Sequence, residues 1–327
     1  MNALQICLEY HSNLFIHQVP VRCLYVIISS IENQGSQQMN GYDYIQTKQI
    51  NWALNKGIQL VGSKGERGRP AYTPNIDRNL FEPLDPEVRE CFKKGDGGEL
   101  NGTIDSPAKM QAVHSSAALA VNVFQYWQLI HQVPIIAAVC GLCRKGNNIS
   151  KEVVFEEKFP IVENRSRIAP NIDVVIHNST ASKIELFAIE CKFSEPYSIH
   201  GDRGLKPEYL KTEDIWDDIP NLHRLSKSLC PEDNTSLFLH PAQLVKHILG
   251  LKRALGKDGF RLLYLWYDVT GMEGAIHRKE IEAFSEVAKA DNIKFHSLSY
   301  QELISRLSDE CRADHPGYIE YISSRYL

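Results

Sequence analysis

Asp173, Glu190 and Lys192 are charged residues set inside apolar runs, N-I-D-V-V-I and L-F-A-I-E-C-K-F. An isolated buried charge is costly, so such groups are normally paired with one another or bound to a metal ion. Residues two apart on a strand share a face, which puts Glu190 beside Lys192, and a neighbouring strand can bring Asp173 next to both. Two carboxylates and an ammonium make a hard oxygen site of the kind Mg²⁺ prefers, with Mn²⁺ as the substitute ion; such an ion keeps several waters and contacts phosphate oxygens. Asp173 and Glu190 would hold the metal, while Lys192 would orient or deprotonate the attacking water and offset charge growing on the phosphate. The chemistry expected is phosphodiester hydrolysis. An ion pair between strands with a purely structural role is the competing reading.

These residues need strands side by side and helices to cover them. Residues 107–130, dense in Ala, Leu and Val with Phe124 and Trp127, predict a helix buried on more than one side, capped by Ser106 with Pro107 at its first position. Residues 153–161, 172–176 and 186–193 predict three strands, with a turn over 178–183, hence an antiparallel meander. After a polar insertion, 194–239, Pro241 opens a helix carrying Leu244, Val245, Ile248 and Leu249. The nearly all-apolar run at 261–268, R-L-L-Y-L-W-Y-D, suits a central strand covered on both faces. A helix over 42–56, another over 275–290, a strand over 293–298 and a closing helix over 301–307 complete the reading. The expected class is α/β: helix, three-stranded meander, helix, strand, in a central mixed sheet flanked by helices.

Pro170-Asn171-Ile172-Asp173 followed by Glu190-Cys191-Lys192 resembles the signature of the PD-(D/E)xK nuclease superfamily, the fold of many restriction endonucleases. Here the Pro stands three residues before the Asp instead of adjacent to it. The element order over 107–268 matches that superfamily's core, and the stretches H-S-S-A-A-L-A-V-N-V-F, N-I-D, E-C-K-F and Q-L-V-K-H resemble a group of uncharacterised restriction endonucleases. The resemblance implies a restriction-endonuclease-like core and a Mg²⁺-dependent DNA endonuclease of restriction or mobile-element defence type. The alternative is a catalytically inactive nuclease-fold protein that binds nucleic acid. Glu156-Glu157-Lys158 is a second E-x-K, but no Asp lies between residues 111 and 155 to partner it.

The superfamily often adds a carboxylate from the first strand or the preceding helix, and the resemblance nominates Glu156 and Glu157. Strict alternation groups Glu157 with Val153, Phe155 and Phe159, and Glu156 with Val154 and Lys158, which leaves both open. Gln243 and His247, four apart, share a helix face with Lys246 beside them, and the resemblance places polar residues of this helix near the scissile phosphate. Lys246, Lys252 and Arg253, with Lys257 and Arg261, make this segment locally basic. Such a strip could follow a DNA backbone, although a solvated helix face is the commoner explanation. Cys140-Gly141-Leu142-Cys143 is a lone C-x-x-C; zinc would need two more ligands, and Cys191, His223, Cys230 and His240 are scattered, so unpaired thiols are expected. Trp216, Asp217 and Asp218 lie in the acidic insertion, as a lid or a dimer contact, a homodimer being the candidate assembly.

The chain has 327 residues, 43% hydrophobic and 23% charged, which excludes disorder, collagen and coiled coil. With 36 Lys and Arg against 40 Asp and Glu, the net charge of -4 gives no whole-molecule attraction to a polyanion, so any DNA site is a local patch. Eight irregularly spaced cysteines read as reduced thiols in a cytoplasm-type compartment. The apolar stretch 14–31 is interrupted by His17, Gln18, Pro20 and Arg22, short of the roughly 20 apolar residues a membrane span needs. Residues 1–10 carry no Lys or Arg to begin a secretory signal. Met39 is expected to be the natural start, with 1–38 a non-native or disordered extension, 39–105 a helical and loop region, and 106–327 the nuclease domain containing the insertion 194–239. The Gly-rich loop at 62–70, G-S-K-G-E-R-G-R-P, lacks phosphate-loop spacing and reads as surface.

Overall fold

Runs of β-branched and aromatic residues build one five-stranded sheet in the order β1 (Ser150–Lys158), β2 (Asn171–Asn178), β3 (Leu186–Lys192), β4 (Phe260–Trp266) and β5 (Phe295–Ser299). The computed structural model describes residues 39–63, 70–95, 98–103, 105–161, 169–198, 203–211 and 213–327. The expectations for 1–38 and for most of the 62–70 loop fall outside these. The described helices of seven residues or more are α1 (Gly41–Asn55), α2 (Pro86–Lys94), α3 (Ser116–Leu129), α4 (Val133–Val139), α5 (Pro220–Ser228), α6 (Pro241–Leu255), α7 (Met272–Ala290), α8 (Tyr300–Cys311) and α9 (Pro316–Tyr326). None of the described helices is long and apolar enough to cross a membrane.

β1, β2 and β3 form the antiparallel meander, whereas β4 runs parallel to β3 and β5 parallel to β4. Parallel neighbours need crossover connections, supplied here by α6 and α7. The mixed α/β sheet flanked by helices is therefore the architecture expected from the residue pattern. β3 lies between β2 and β4, and alternation sends its side chains to two separate cores. Phe187, Ile189 and Cys191 join Phe124, Trp127 and Ile136 of α3 and α4 on one face, while Leu186 and Ala188 join Leu244, Val245 and Ile248 of α6 on the other. Residues before 105 share the first of these cores: Ile45, Leu84, Val88 and Phe92 pack in the same cluster as Trp127.

Two expectations are corrected. The helix expected from residue 107 begins at Ser116, where the Ser115 hydroxyl accepts from the Ala118 N–H at 3.2 Å. Upstream, the backbone is drawn into bridges instead: Thr73 N–H donates to Gln111 O and Val113 N–H to Ala71 O, both at 2.9 Å. The Asn79 side-chain amide also donates to Met110 O and Ala112 O, each at 2.8 Å. These tertiary bonds outweigh the local capping signal. The second correction is α9, a helix beyond the expected closing one; it has Pro316 in its first turn and buries Tyr318, Ile319, Ile322 and Tyr326.

α9 also carries Arg325, which is fully buried without a carboxylate partner among the described residues. Its Nε donates to Gln49 Oε1 (3.0 Å), Nη1 to Asn79 O (2.8 Å) and Tyr321 Oη (2.6 Å), and Nη2 to Asn79 Oδ1 (2.5 Å) and Val113 O (3.2 Å). The five guanidinium N–H groups are thereby all used. The Trp52 ring lies 4.2 Å from the guanidinium carbon.

Candidate active site

The register brings the three expected residues together. Val174 of β2 pairs with Ile189 of β3, so Asp173 and Glu190 follow one step on. Asp173 Oδ2 accepts from the Cys191 N–H at 2.7 Å. Glu190 shares its face with Leu186 and Ala188 and points toward α6, where His247 Nε2 stands 2.8 Å from its Oε2. Lys192 Nζ is 2.6 Å from Glu190 Oε1. Glu190 is fully buried and the Lys192 side chain keeps only 17% of its surface. Both Glu190 oxygens and both ring nitrogens of His247 nonetheless lack a hydrogen bond of good geometry, so these are close contacts without well-directed bonds.

Electrostatics separates the carboxylates. Burial works against charge on Glu190, but Lys192 and His247 outweigh it and hold the group at about 2. Asp173 is pushed well above the usual carboxylate range by burial and by the nearby Glu190 and Glu156, against the pull of Lys192. Burial alone would depress Lys192, yet Glu190, Asp173 and Glu195 raise it above its ordinary value. The resting site thus contains a charged Glu190–Lys192 pair beside a carboxyl whose charge is disfavoured by burial and by its carboxylate neighbours.

The structure places the two auxiliary candidates differently. Glu156 falls between the Phe155–Val174 and Glu157–Ile172 pairs, opposite Asp173. Its φ of 55° lies in the left-handed region, which breaks the alternation of β1 locally and lets a half-buried carboxylate face the site. Asn171 Nδ2 donates to Glu156 Oε2 at 3.1 Å, and burial, with Glu99 and Glu190 nearby, lifts this carboxyl to about 7. Glu157 instead pairs with His177 at 2.7 Å. A cavity of about 80 Å³ is lined by Asp173, Glu156, Glu99, Phe92, Ala117 and Cys191.

Glu99 and Glu195 are the site carboxylates that sequence reasoning missed. Glu99 comes from the loop before α3, and its carboxyl is raised by burial despite Lys109 at 3.5 Å. Glu195 directly follows β3 and accepts from the Phe193 N–H at 2.9 Å. A signal for Glu195 was its position in K-F-S-E-P, where the strand must end before Pro196. Glu99 had no local signal.

The remaining expected residues are placed less centrally. Gln243 is half-buried one turn before His247 on α6, and among the described residues no hydrogen bond ties it to the carboxylates. Lys246 lies near enough to His240 to help lower that ring's pKa, which burial chiefly depresses to about 4. Lys252 and Arg253 do not form an open basic strip. Lys252 pairs with Asp218 at 2.7 Å and donates to Ile215 O at 2.9 Å, while Arg253 pairs with Asp214 at 2.8 Å. The acidic insertion neutralises that end of α6, and Trp216 is buried against it. Cys140 and Cys143 are free thiols, both raised by burial.

The donors fit a small, oxygen-preferring divalent ion. Asp173 and Glu156 open onto one cavity, and the Asn171 Oδ1 beside Glu156 is buried without a hydrogen bond. Among the described residues no group of three His, Cys, Asp or Glu side chains is placed to hold a metal ion by protein ligands alone. Such a set suits an ion that keeps much of its hydration, as Mg²⁺ does.

A family model described as Restriction Endonuclease associating with ARP matches residues 41–327. No curated protein and no solved structure matches the chain.

Proposed function

The chain belongs to the family of restriction endonucleases associating with ARP, and on that premise we propose that it is a Mg²⁺-dependent DNA endonuclease, with Mn²⁺ as an alternative ion. Asp173 of β2, Glu190 of β3 and Glu156 of β1 would hold the ion. When bound, the ion polarises the scissile phosphate and makes a bound water a better nucleophile. Lys192, held as an ammonium by Glu190 and Asp173, orients the attacking water and meets charge developing on the phosphate. A lysine held so firmly protonated is poorly suited to removing the water's proton, which favours the orienting role. His247 fixes the far oxygen of Glu190 and thereby the direction of the Lys192 contact. We extend to this chain the association with ARP that the family description states.

The observation that carries this reading is the buried Glu190–Lys192 pair standing beside a carboxyl, Asp173, whose charge has no full compensation in the protein. The test is plasmid cleavage with and without Mg²⁺ or Mn²⁺, beside Lys192→Met. Cleavage should require the ion, and the variant should lose about 10²-fold to 10³-fold in rate while still binding DNA. Near-full rate in Lys192→Met would remove the proposed site.

A further inference from the structure

A second cavity lies at the opposite end of β3. It measures about 430 Å³ and is lined by Arg144, Lys183 and Arg261, with Leu142, Ile184 and Phe187 among its apolar residues and no Asp or Glu. That volume is in the range of about 300–1,000 Å³ typical of small-molecule sites. Phe187 here and Cys191 in the catalytic cavity point to the same face of β3 four residues apart, about 13 Å along the strand. The two cavities are therefore separate.

Three positive side chains converge in a molecule whose net charge is -4. Arg261 stands beside Phe187 in the β3–β4 register, and its Nη1 donates to Leu142 O at 2.5 Å. Its Nε is buried with no hydrogen-bond partner, a donor left without an acceptor. Arg144 and Lys183 are exposed, and neither forms an ion pair with a described residue. The C-x-x-C segment acquires a role as the rim: Gly141, with φ 74°, turns the chain so that Leu142 O meets Arg261 while Cys143 lines the wall. Half-buried Ile149 and Ile184 give the cavity an apolar side that an inorganic anion would leave in contact with water.

We propose that this cavity binds a nucleoside phosphate, its phosphates held by Arg144, Lys183 and Arg261 and its base or sugar laid against the Ile149–Ile184 wall. The source is a free nucleotide or the phosphorylated end of a nucleic-acid strand, which share this chemistry.

The test is calorimetric titration of ADP into the full chain in EDTA and low salt, so that no divalent ion assists at the catalytic carboxylates. ADP should bind saturably, Lys192→Met should bind it equally well, and Arg144→Ala with Lys183→Ala should weaken it at least about tenfold through loss of two charge-assisted contacts. Both substituted residues are exposed, and circular dichroism checks that the fold is kept. A 5′-phosphorylated pentanucleotide that displaces ADP identifies a strand end as the occupant; one that fails to do so identifies a free nucleotide, and either supports the site. The proposal is overturned by no ADP binding up to about 1 mM, by equal binding in the double variant, or by inorganic phosphate binding as tightly as ADP.

Discussion

Two buried charged centres in this molecule are built on opposite principles. Arg325 has no counter-charge among the described residues but satisfies all five of its N–H groups with oxygens from α1, α9 and two loops. The Asp173–Glu190–Lys192 cluster has compensating charges, yet leaves Glu190 and His247 without well-formed hydrogen bonds and Asp173 poorly accommodated as an anion. A fully satisfied centre has no unmet demand to offer a ligand; it joins segments. A centre with charge demand and free lone pairs is incomplete without something else. The contrast separates a satisfied buried charge from an unsatisfied one more sharply than exposure does, because both centres lie inside.

The largest expected effect is on the satisfied centre. Arg325→Met leaves Asn79 Oδ1, Gln49 Oε1 and Val113 O without their donor and Asn79 O with Asn122 Nδ2 alone, and should cost about 3–5 kcal/mol in urea unfolding, comparable to breaking a buried pair. An unchanged midpoint would erase the distinction. Within the incomplete centre, two substitutions should move stability in opposite directions while both abolish cleavage. Glu190→Gln strands the Lys192 ammonium and should cost about 3 kcal/mol. Asp173→Asn relieves carboxylate repulsion while an oxygen remains for the Cys191 N–H, so the same unfolding assay should show a gain. Equal signs for the two would contradict the division of labour between them.

Acid should act next, through another satisfied group. The Tyr197 hydroxyl donates to Tyr267 O at 2.9 Å, so its oxygen is free to accept from His277 Nδ1–H at 3.1 Å, while Tyr264 donates to Nε2 at 3.0 Å. This arrangement requires neutral imidazole, and burial, with Arg203 and Arg278, lowers the ring to about 3. The folded pKa is below the ordinary value of 6.5, so the contribution to stability is complete above pH 6.5 and is lost as pH falls toward 3. Thermal melts of His277→Gln should show a shallower decline over that window. The smallest effect is expected from Lys252→Ala with Arg253→Ala: each of these partly exposed pairs should be worth at most about 1 kcal/mol. Because Asp218 and Asp214 already neutralise them, the salt dependence of DNA binding should barely change. A slope reduced by about two would place the DNA on that end of α6 after all.

What could be read in the sequence was set by neighbours close along the chain. The meander was legible because β-branched runs alternate with short turns, and Asp173, Glu190 and Lys192 stood out because charge interrupts apolar strands. His247 was visible as a polar residue on an apolar helix. Alternation could not say which of Glu156 and Glu157 faces Asp173, since that depends on a left-handed residue at 156 that no periodic rule foresees. Ser106-Pro107 was as good a helix start as Ser115, and it lost to hydrogen bonds from Asn79 and Thr73 to acceptors 31 to 38 residues further on. Glu99, and the burial of Arg325, arise from contacts between remote segments. The basic end of α6 was legible as charge, but its neutralisation by Asp214 and Asp218 lies 34 to 39 residues away.

The Arg325 junction also has a consequence for the order in which the chain can fold. Its acceptors on Gln49, Asn79 and Val113 lie 276, 246 and 212 residues earlier. On the ribosome the first helix and its neighbouring loops are finished long before the side chain that ties them together exists. Each doubling of a closed loop adds only about 0.6 kcal/mol of entropy, so the thermodynamic burden of so long a span is small. The burden is kinetic, because contacts of such separation slow the search. The sheet and its covering helices can assemble as they emerge, whereas the Arg325 junction closes only once α9 has been made and docks.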